Sequence, residues 1–258
     1  RRLSSAASDV YKRQILDDTT KIIYGMKTTS FISKENFLLS DTIFLILDST
    51  LNDIYDISIP EKNQFKYQNL GNLGSPVRNI FYETPNSFSL QSGLSSLQPY
   101  IDEISTSKFY DTKSPFIDLG LFFGGLGRSK VNFEFSRNVN KNWNITLAIN
   151  RISSDKQIGA IKNKGDKNIK SSSLKFNIFH KSNNKKISHF TDIISLNHNT
   201  LGTGGVDLIV DSLPIDFFLY NDFEVRLTEV ENIYKNLKLE TYTDYKLSNE
   251  LKFYNQTK

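Results

Sequence analysis

The 258-residue sequence contains no cysteine. That excludes disulfide staples, thiolate zinc sites and cysteine nucleophiles. Long apolar runs are missing too: the longest, Ile43 to Leu47, falls far short of the roughly 20 residues a spanning helix needs. Catalytic constellations are equally scarce. His180, His189 and His198 lie nine apart and do not converge by spacing, whereas a metal site needs three or four ligands on one point. Gly124 to Lys130 lacks the Gly-Lys-Ser/Thr order of a phosphate loop, and no Gly-x-Ser-x-Gly elbow occurs. Glu229 and Glu231 sit in a polar stretch that reads as a solvated loop. The expectation is therefore no catalytic residue, no metal, no cofactor and no enzyme.

A surplus of charge is lacking as well. The formal net charge is +4, and most of it belongs to the first fourteen residues. Ser4 to Gln14 read SSAASDVYKRQ, which resembles a sequencing adapter translated in frame, so residues 1–14 are set apart from the fold. They hold four basic residues and one acidic residue, and without them 28 basic residues meet 27 acidic ones. No nucleic-acid partner is expected of such a balance. The chain does not begin with methionine and stops inside the strand-like stretch Leu251 to Lys258. The expectation is that both natural termini lie beyond it, which leaves room for a signal peptide upstream.

What the sequence does contain is alternation. Val131, Phe133 and Phe135 interleave with Asn132, Glu134 and Ser136; Trp143, Ile145, Leu147 and Ile149 interleave with Asn144, Thr146, Ala148 and Asn150. A period of two is the signature of strands with two different faces. Strands are expected at Phe116–Phe123, Lys130–Arg137, Trp143–Ile152, Ser172–His180, Ile187–Asn197 and Leu237–Lys246, and from Glu250 onward. Their connections alternate in length: Asn138–Asn142, Lys181–Lys186 and Leu247–Asn249 are short, Ser153–Ser171 and His198–Asn236 long. Short turns at one end and long loops at the other characterise outer-membrane barrels. Two features sit badly with this. Gly124 to Ser129 is tight where a long loop is due, and Asp192 shares a face with Phe190, Ile194 and Leu196, which points either to a bulge or to a misplaced strand.

The expected fold class is all-β: a partial antiparallel transmembrane β-barrel over residues 113–258, preceded by an irregular region, 15–112, that is periplasmic or a lumen plug. Lipid-facing candidates are Val131, Phe133, Phe135, Trp143, Ile145, Leu147, Ile149, Leu174, Phe176, Ile178 and Leu239. Lumen-facing candidates are Glu134, Arg137, Asn144, Asn150, Arg151, Lys175, Asn177, Lys238, Glu240 and Asp244. Trp143, Tyr242 and Tyr245 are candidates for an aromatic girdle. Arg at Leu147 is expected to cost about 2–4 kcal/mol, and Arg at Asn144 or Asn177 little. Periodicity alone leaves a soluble β-sandwich open, because a sandwich core uses the same period.

An ordered set of motifs separates these readings. Ile23-Tyr24-Gly25 and Thr28-Thr29 come first, then Tyr67-Gln68-Asn69-Leu70-Gly71-Asn72 with Gly74. Phe109-Tyr110-Asp111-Thr112-Lys113-Ser114-Pro115, Gly124-Gly125 and Gly127-Arg128-Ser129 follow. Phe135-Ser136-Arg137-Asn138, Trp143-Asn144-Ile145 and Asp155-Lys156-Gln157 close the series. Over roughly Asp18 to Val206 the set resembles the putative porin family of Bacteroidetes. The resemblance implies an outer-membrane barrel made with a signal peptide, with no particular substrate and no catalytic residues. The leading expectation for its polar lumen is passive diffusion of small hydrophilic solutes, with outer-membrane lipid and lipopolysaccharide as partners. A non-conducting scaffold or receptor barrel and a soluble ligand-binding sandwich are the alternatives. Lys162, Lys164, Lys167 and Lys170 cluster in a loop that meets either solvent or anionic lipopolysaccharide.

Overall fold

The computed structural model describes residues 28–39, 43–47, 50, 52–82, 95–156, 167–205, 225–227, 230–248 and 251–257. Residues 1–14, the triplet Ile23-Tyr24-Gly25, Lys162 and Lys164 lie outside them.

The first part of the chain forms short elements. Strands β1 (Thr29–Ser33), β2 (Leu45–Ile46) and β5 (Lys108–Thr112) make a three-stranded antiparallel sheet in the order β2-β1-β5. Strands β3 (Tyr67–Asn69) and β4 (Val77–Asn79) form a separate hairpin. Three short helices lie among them. Helix α1 (Lys34–Leu38) is capped by Ser33, whose hydroxyl accepts from the Asn36 N–H at 3.2 Å. Helix α2 (Ile59–Lys62) starts at a capping box: the Glu61 carboxylate accepts from the Ser58 N–H at 2.7 Å and the Ile57 N–H at 3.0 Å. Helix α3 (Gln98–Ser105) buries Tyr100. None of these was legible as an amphipathic pattern, because each is shorter than three turns. Among the described residues no helix is long and apolar enough to cross a membrane.

The alternating stretch becomes one seven-stranded antiparallel meander. Its strands are β6 (Phe116–Phe123), β7 (Ser129–Asn140), β8 (Trp143–Asp155), β9 (Lys167–Lys181), β10 (Ile187–Gly202), β11 (Val230–Lys246) and β12 (Lys252–Thr257), each hydrogen-bonded to the next. β6 and β12 have one neighbour each, so this sheet is open among the described residues. β9, β10 and β11 run several residues further than alternation indicated: β9 starts at Lys167, β10 ends at Gly202 and β11 starts at Val230. The added residues, such as Lys170 and Ser171 on β9 and His198 to Thr200 on β10, are mostly polar and carry little period to read.

The connection 124–128 is a tight hairpin. Leu126 (φ 60°) and Gly127 (φ 62°) both adopt left-handed backbone, as the two central residues of a type I′ turn do. β10 has no bulge: its register runs unbroken against both β9 and β11. Irregular register occurs instead between Asn138 and Asn140 and between Ser154 and Asp155.

Residues paired across antiparallel strands share a face, so the register reads out whole rows. One row across β6 to β11 is Ile117, Phe135, Leu147, Phe176, Ile193 and Leu239. The row one residue over, on the opposite face, is Phe116, Ser136, Thr146, Asn177, Asp192 and Glu240. The apolar row has no covering layer among the described residues: Ile117 is 60% exposed and Leu239 55%. The polar row is sealed, with Ser136 and Asp192 at 0% and Glu240 at 1%. The covered face is mixed, since Phe179, Phe190, Ile194 and Tyr242 are buried on it beside these polar groups; what a water-soluble sheet would not leave bare is the apolar row on the other face.

Candidate functional site

The cover on the polar face is the first part of the chain. Ile32, Phe37 and Phe109 pack with Phe179, Phe190 and Tyr242 of the sheet. Phe37 makes edge-on contacts with Phe109, Phe179, Phe190 and Tyr242 at centroid distances of 5.4–6.0 Å. Nearer the end with the long connections, Ile59, Leu73, Val77, Leu97 and Tyr100 pack around Ile152. Tyr242 is thus an inward anchor and not a girdle residue, since it pairs with Phe190 on the covered face.

Three polar junctions tie this cover to the sheet. The first is centred on Lys34, at the start of α1. Its ammonium lies 2.7 Å from the Glu240 carboxylate and 3.3 Å from that of Asp192. Asp192 also accepts from the Ser107 hydroxyl at 3.0 Å and from the Asn177 amide. Glu240 accepts further from Lys238 at 3.0 Å and Gln256 at 3.0 Å. Two carboxylates withdrawn from water require such full pairing, because an unpaired buried charge is strongly destabilising. Asp192 shares its face with Phe190, Ile194 and Leu196 because that face receives both apolar and charged groups of the cover.

The second junction joins α2, α3 and β7. Lys130 donates to the Ile57 carbonyl at 2.8 Å and lies 3.3 Å from Glu103, which also pairs with Lys62. Burial alone raises the Glu103 carboxyl, but the ammonium groups of Lys130 and Lys62 outweigh it and hold the carboxyl below its ordinary value of 4.5. A carboxyl depressed in the folded state stabilises the fold above its unfolded pKa. That contribution disappears as pH falls through the folded value. Wild-type stability in urea is therefore expected to decline below about pH 4.5, and Glu103→Gln to flatten that decline. Equal acid slopes for the two proteins would refute the assignment.

The third junction brings three of the sequence motifs together. The Asn72 amide donates to the carbonyls of Leu126 at 3.1 Å and Asp155 at 3.0 Å, and the Ser154 hydroxyl donates to the Leu73 carbonyl at 2.8 Å. The backbones meet closely here. Gly74 has φ +87°, and a Cβ on it would lie 2.8 Å from Ile169 Cγ2 and 2.9 Å from Ile152 Cγ2; a Cβ on Gly127 would run into the Asp155 carboxylate. Gly74 and Gly127 thus occupy positions where a side chain does not fit. Lys167 pairs with Asp155 at 2.7 Å, so it is a strand residue at this seam and not a loop cation.

The candidate lumen residues divide by parity. Glu134, Asn144, Asn150, Lys175, Asn177, Lys238, Glu240 and Asp244 stand on the covered face. Glu134 accepts from the Tyr110 hydroxyl at 3.0 Å, and Lys175 donates to the Thr106 carbonyl at 2.7 Å. Arg137 and Arg151 are corrections: Arg137 pairs with Ile145 and Arg151 with Val131, on the uncovered face. Charge had assigned them inward, whereas their parity follows Phe133 and Phe135. Val131, Phe133, Phe135, Trp143, Ile145, Leu147, Ile149, Leu174, Phe176, Ile178 and Leu239 all lie on that uncovered face. The low cost expected for Arg at Asn144 or Asn177 is also corrected. Both are buried, at 3% and 1%, under the cover.

Local sequence reasoning could not find Lys34, Ser107 or Glu103, whose partners are remote; Lys34 reaches across 158 and 206 residues. The available signal was Asp192, a charge out of pattern. His180 and His189 face each other across β9 and β10, while His198 points to the opposite face against Tyr100. Among the described residues no group of three His, Cys, Asp or Glu side chains is placed to hold a metal ion.

Residues 29–258 match the profile of a family described as putative porin. No curated protein and no solved structure matches the chain.

Proposed function

Because the chain belongs to the putative porin family, we propose that it forms the wall of an outer-membrane β-barrel, with its first part lodged against the lumen side. Lipid takes the uncovered apolar face, and small hydrophilic solutes diffuse along the polar one. One observation carries this reading: the sheet exposes the row Ile117–Phe135–Leu147–Phe176–Ile193–Leu239 and seals the row Ser136–Thr146–Asn177–Asp192–Glu240. In hydrocarbon, strands must pair at every edge, so the reading requires partners for the free edges of β6 and β12. With the polar face covered, solutes pass only beside the cover or after it shifts.

The test is conductance of the full chain in a planar bilayer, together with heat-modifiable gel mobility to establish insertion. Low basal conductance that rises when the cover is loosened supports a plugged diffusion channel. Insertion without conductance in either state refutes passive diffusion and favours a receptor or scaffold barrel, the reading to which the extensive cover itself lends weight.

A further inference from the structure

We propose that the uncovered face carries a binding cleft for the phosphate of an outer-leaflet lipid headgroup. This rests on the membrane reading above. Moving along β8 toward the end with the long connections, the apolar positions Ile145, Leu147 and Ile149 give way to Arg151 and Ser153. The neighbouring strands change at the same register. Leu174, beside Ile149, gives way to Ser172 and Lys170 on β9, and Asn197 and Asn199 follow beside them on β10. Arg151, Ser153, Lys170, Ser172, Asn197 and Asn199 line a cleft of about 440 Å³.

Its composition suits a phosphate. Arg151 pairs with Ser172 and Lys170 with Ser153, so the two cations are diagonal neighbours, about 7–8 Å apart at Cα. A phosphate fits between an Arg fork and a Lys point charge at that spacing, with hydroxyl and amide donors around it. Lys235, beside Asn197, adds a third cation. Among the described residues none of the three makes an ion pair. The acid nearby, Glu231, accepts from the Asn199 amide. A cationic cleft directly beyond an apolar band lies at headgroup depth, where each Lys or Arg attracts anionic lipid. The end with long connections is the external one in barrels of this kind, which selects the outer leaflet and its phosphorylated glycolipids.

The experiment reconstitutes the full chain in phosphatidylcholine vesicles that contain a small fraction of lipid A, the phosphorylated glycolipid, carrying a fluorescent label, and measures its binding by energy transfer from the protein. The double variant Arg151→Gln with Lys170→Gln is expected to bind roughly thirtyfold more weakly. Arg137→Gln, on the same face at the other end, is expected to bind like the wild type. Unchanged binding by the double variant overturns the site while leaving the barrel intact. Equal displacement of lipid A by inorganic phosphate at matched phosphate concentration overturns the lipid as occupant. If the wild type fails to enter vesicles, the membrane reading falls, and this site with it.

Discussion

Replacing Lys34 by methionine is expected to loosen the first part of the chain from the sheet by about 3 kcal/mol. Methionine keeps most of the side-chain volume and removes the charge. Asp192, at 0% exposure, then keeps only the Ser107 hydroxyl and the Asn177 amide. Glu240 still has Lys238 and Gln256, which places the loss at the lower end of the range for breaking a buried pair. Amide exchange in β1, α1 and β5 should quicken roughly a hundredfold. Bilayer conductance should rise in parallel. Adding Asp192→Asn removes the stranded charge and is expected to restore part of the protection, which separates electrostatics from packing around Phe37. Unaltered exchange in Lys34→Met would show that the aromatic cluster alone holds the cover.

Arg at Leu147 is the second large effect. In lipid it is expected to cost about 2–4 kcal/mol, against about 0–1 kcal/mol for Arg at Asn197, on the same face beyond the apolar band. The comparison works because neither position is under the cover. Asn144 and Asn177 cannot serve as references, since burial penalises Arg there whatever surrounds the sheet. In water the penalty disappears: an uncovered apolar row accepts Arg at little cost. Equal unfolding costs at Leu147 and Asn197 in vesicles would remove the case for a lipid-facing sheet.

The strands themselves were legible because their cause is local. Side chains on a strand alternate by covalent geometry, so Val131 to Ser136 and Trp143 to Asn150 each declare a two-faced strand before any partner is known. Turn chemistry is local at Gly127, which adopts left-handed backbone freely, whereas Leu126 beside it takes the same conformation against its residue type. Where the pattern was assigned by charge in place of parity, as with Arg137 and Arg151, it misled. Asp192 was read as a sign of irregular backbone, yet it lies in regular register and answers a lysine 158 residues away. Tyr242 looked like an interfacial aromatic and is instead stacked on Phe190 inside.

The sequence alone determined that there would be a meander of long strands with one apolar and one polar face. The period of two and the turn residues are written residue by residue. Only the tertiary structure decided which face is covered and by what. Alternation is symmetric between an apolar face buried in protein and one left bare; the asymmetry enters through contacts between residues far apart in the chain. Lys34 with Asp192 and Glu240, Phe37 with Phe179, Phe190 and Tyr242, and Asn72 with Leu126 and Asp155 exist only once the chain has closed those loops. No local propensity records such contacts, because their free energy belongs to the pair and not to either residue.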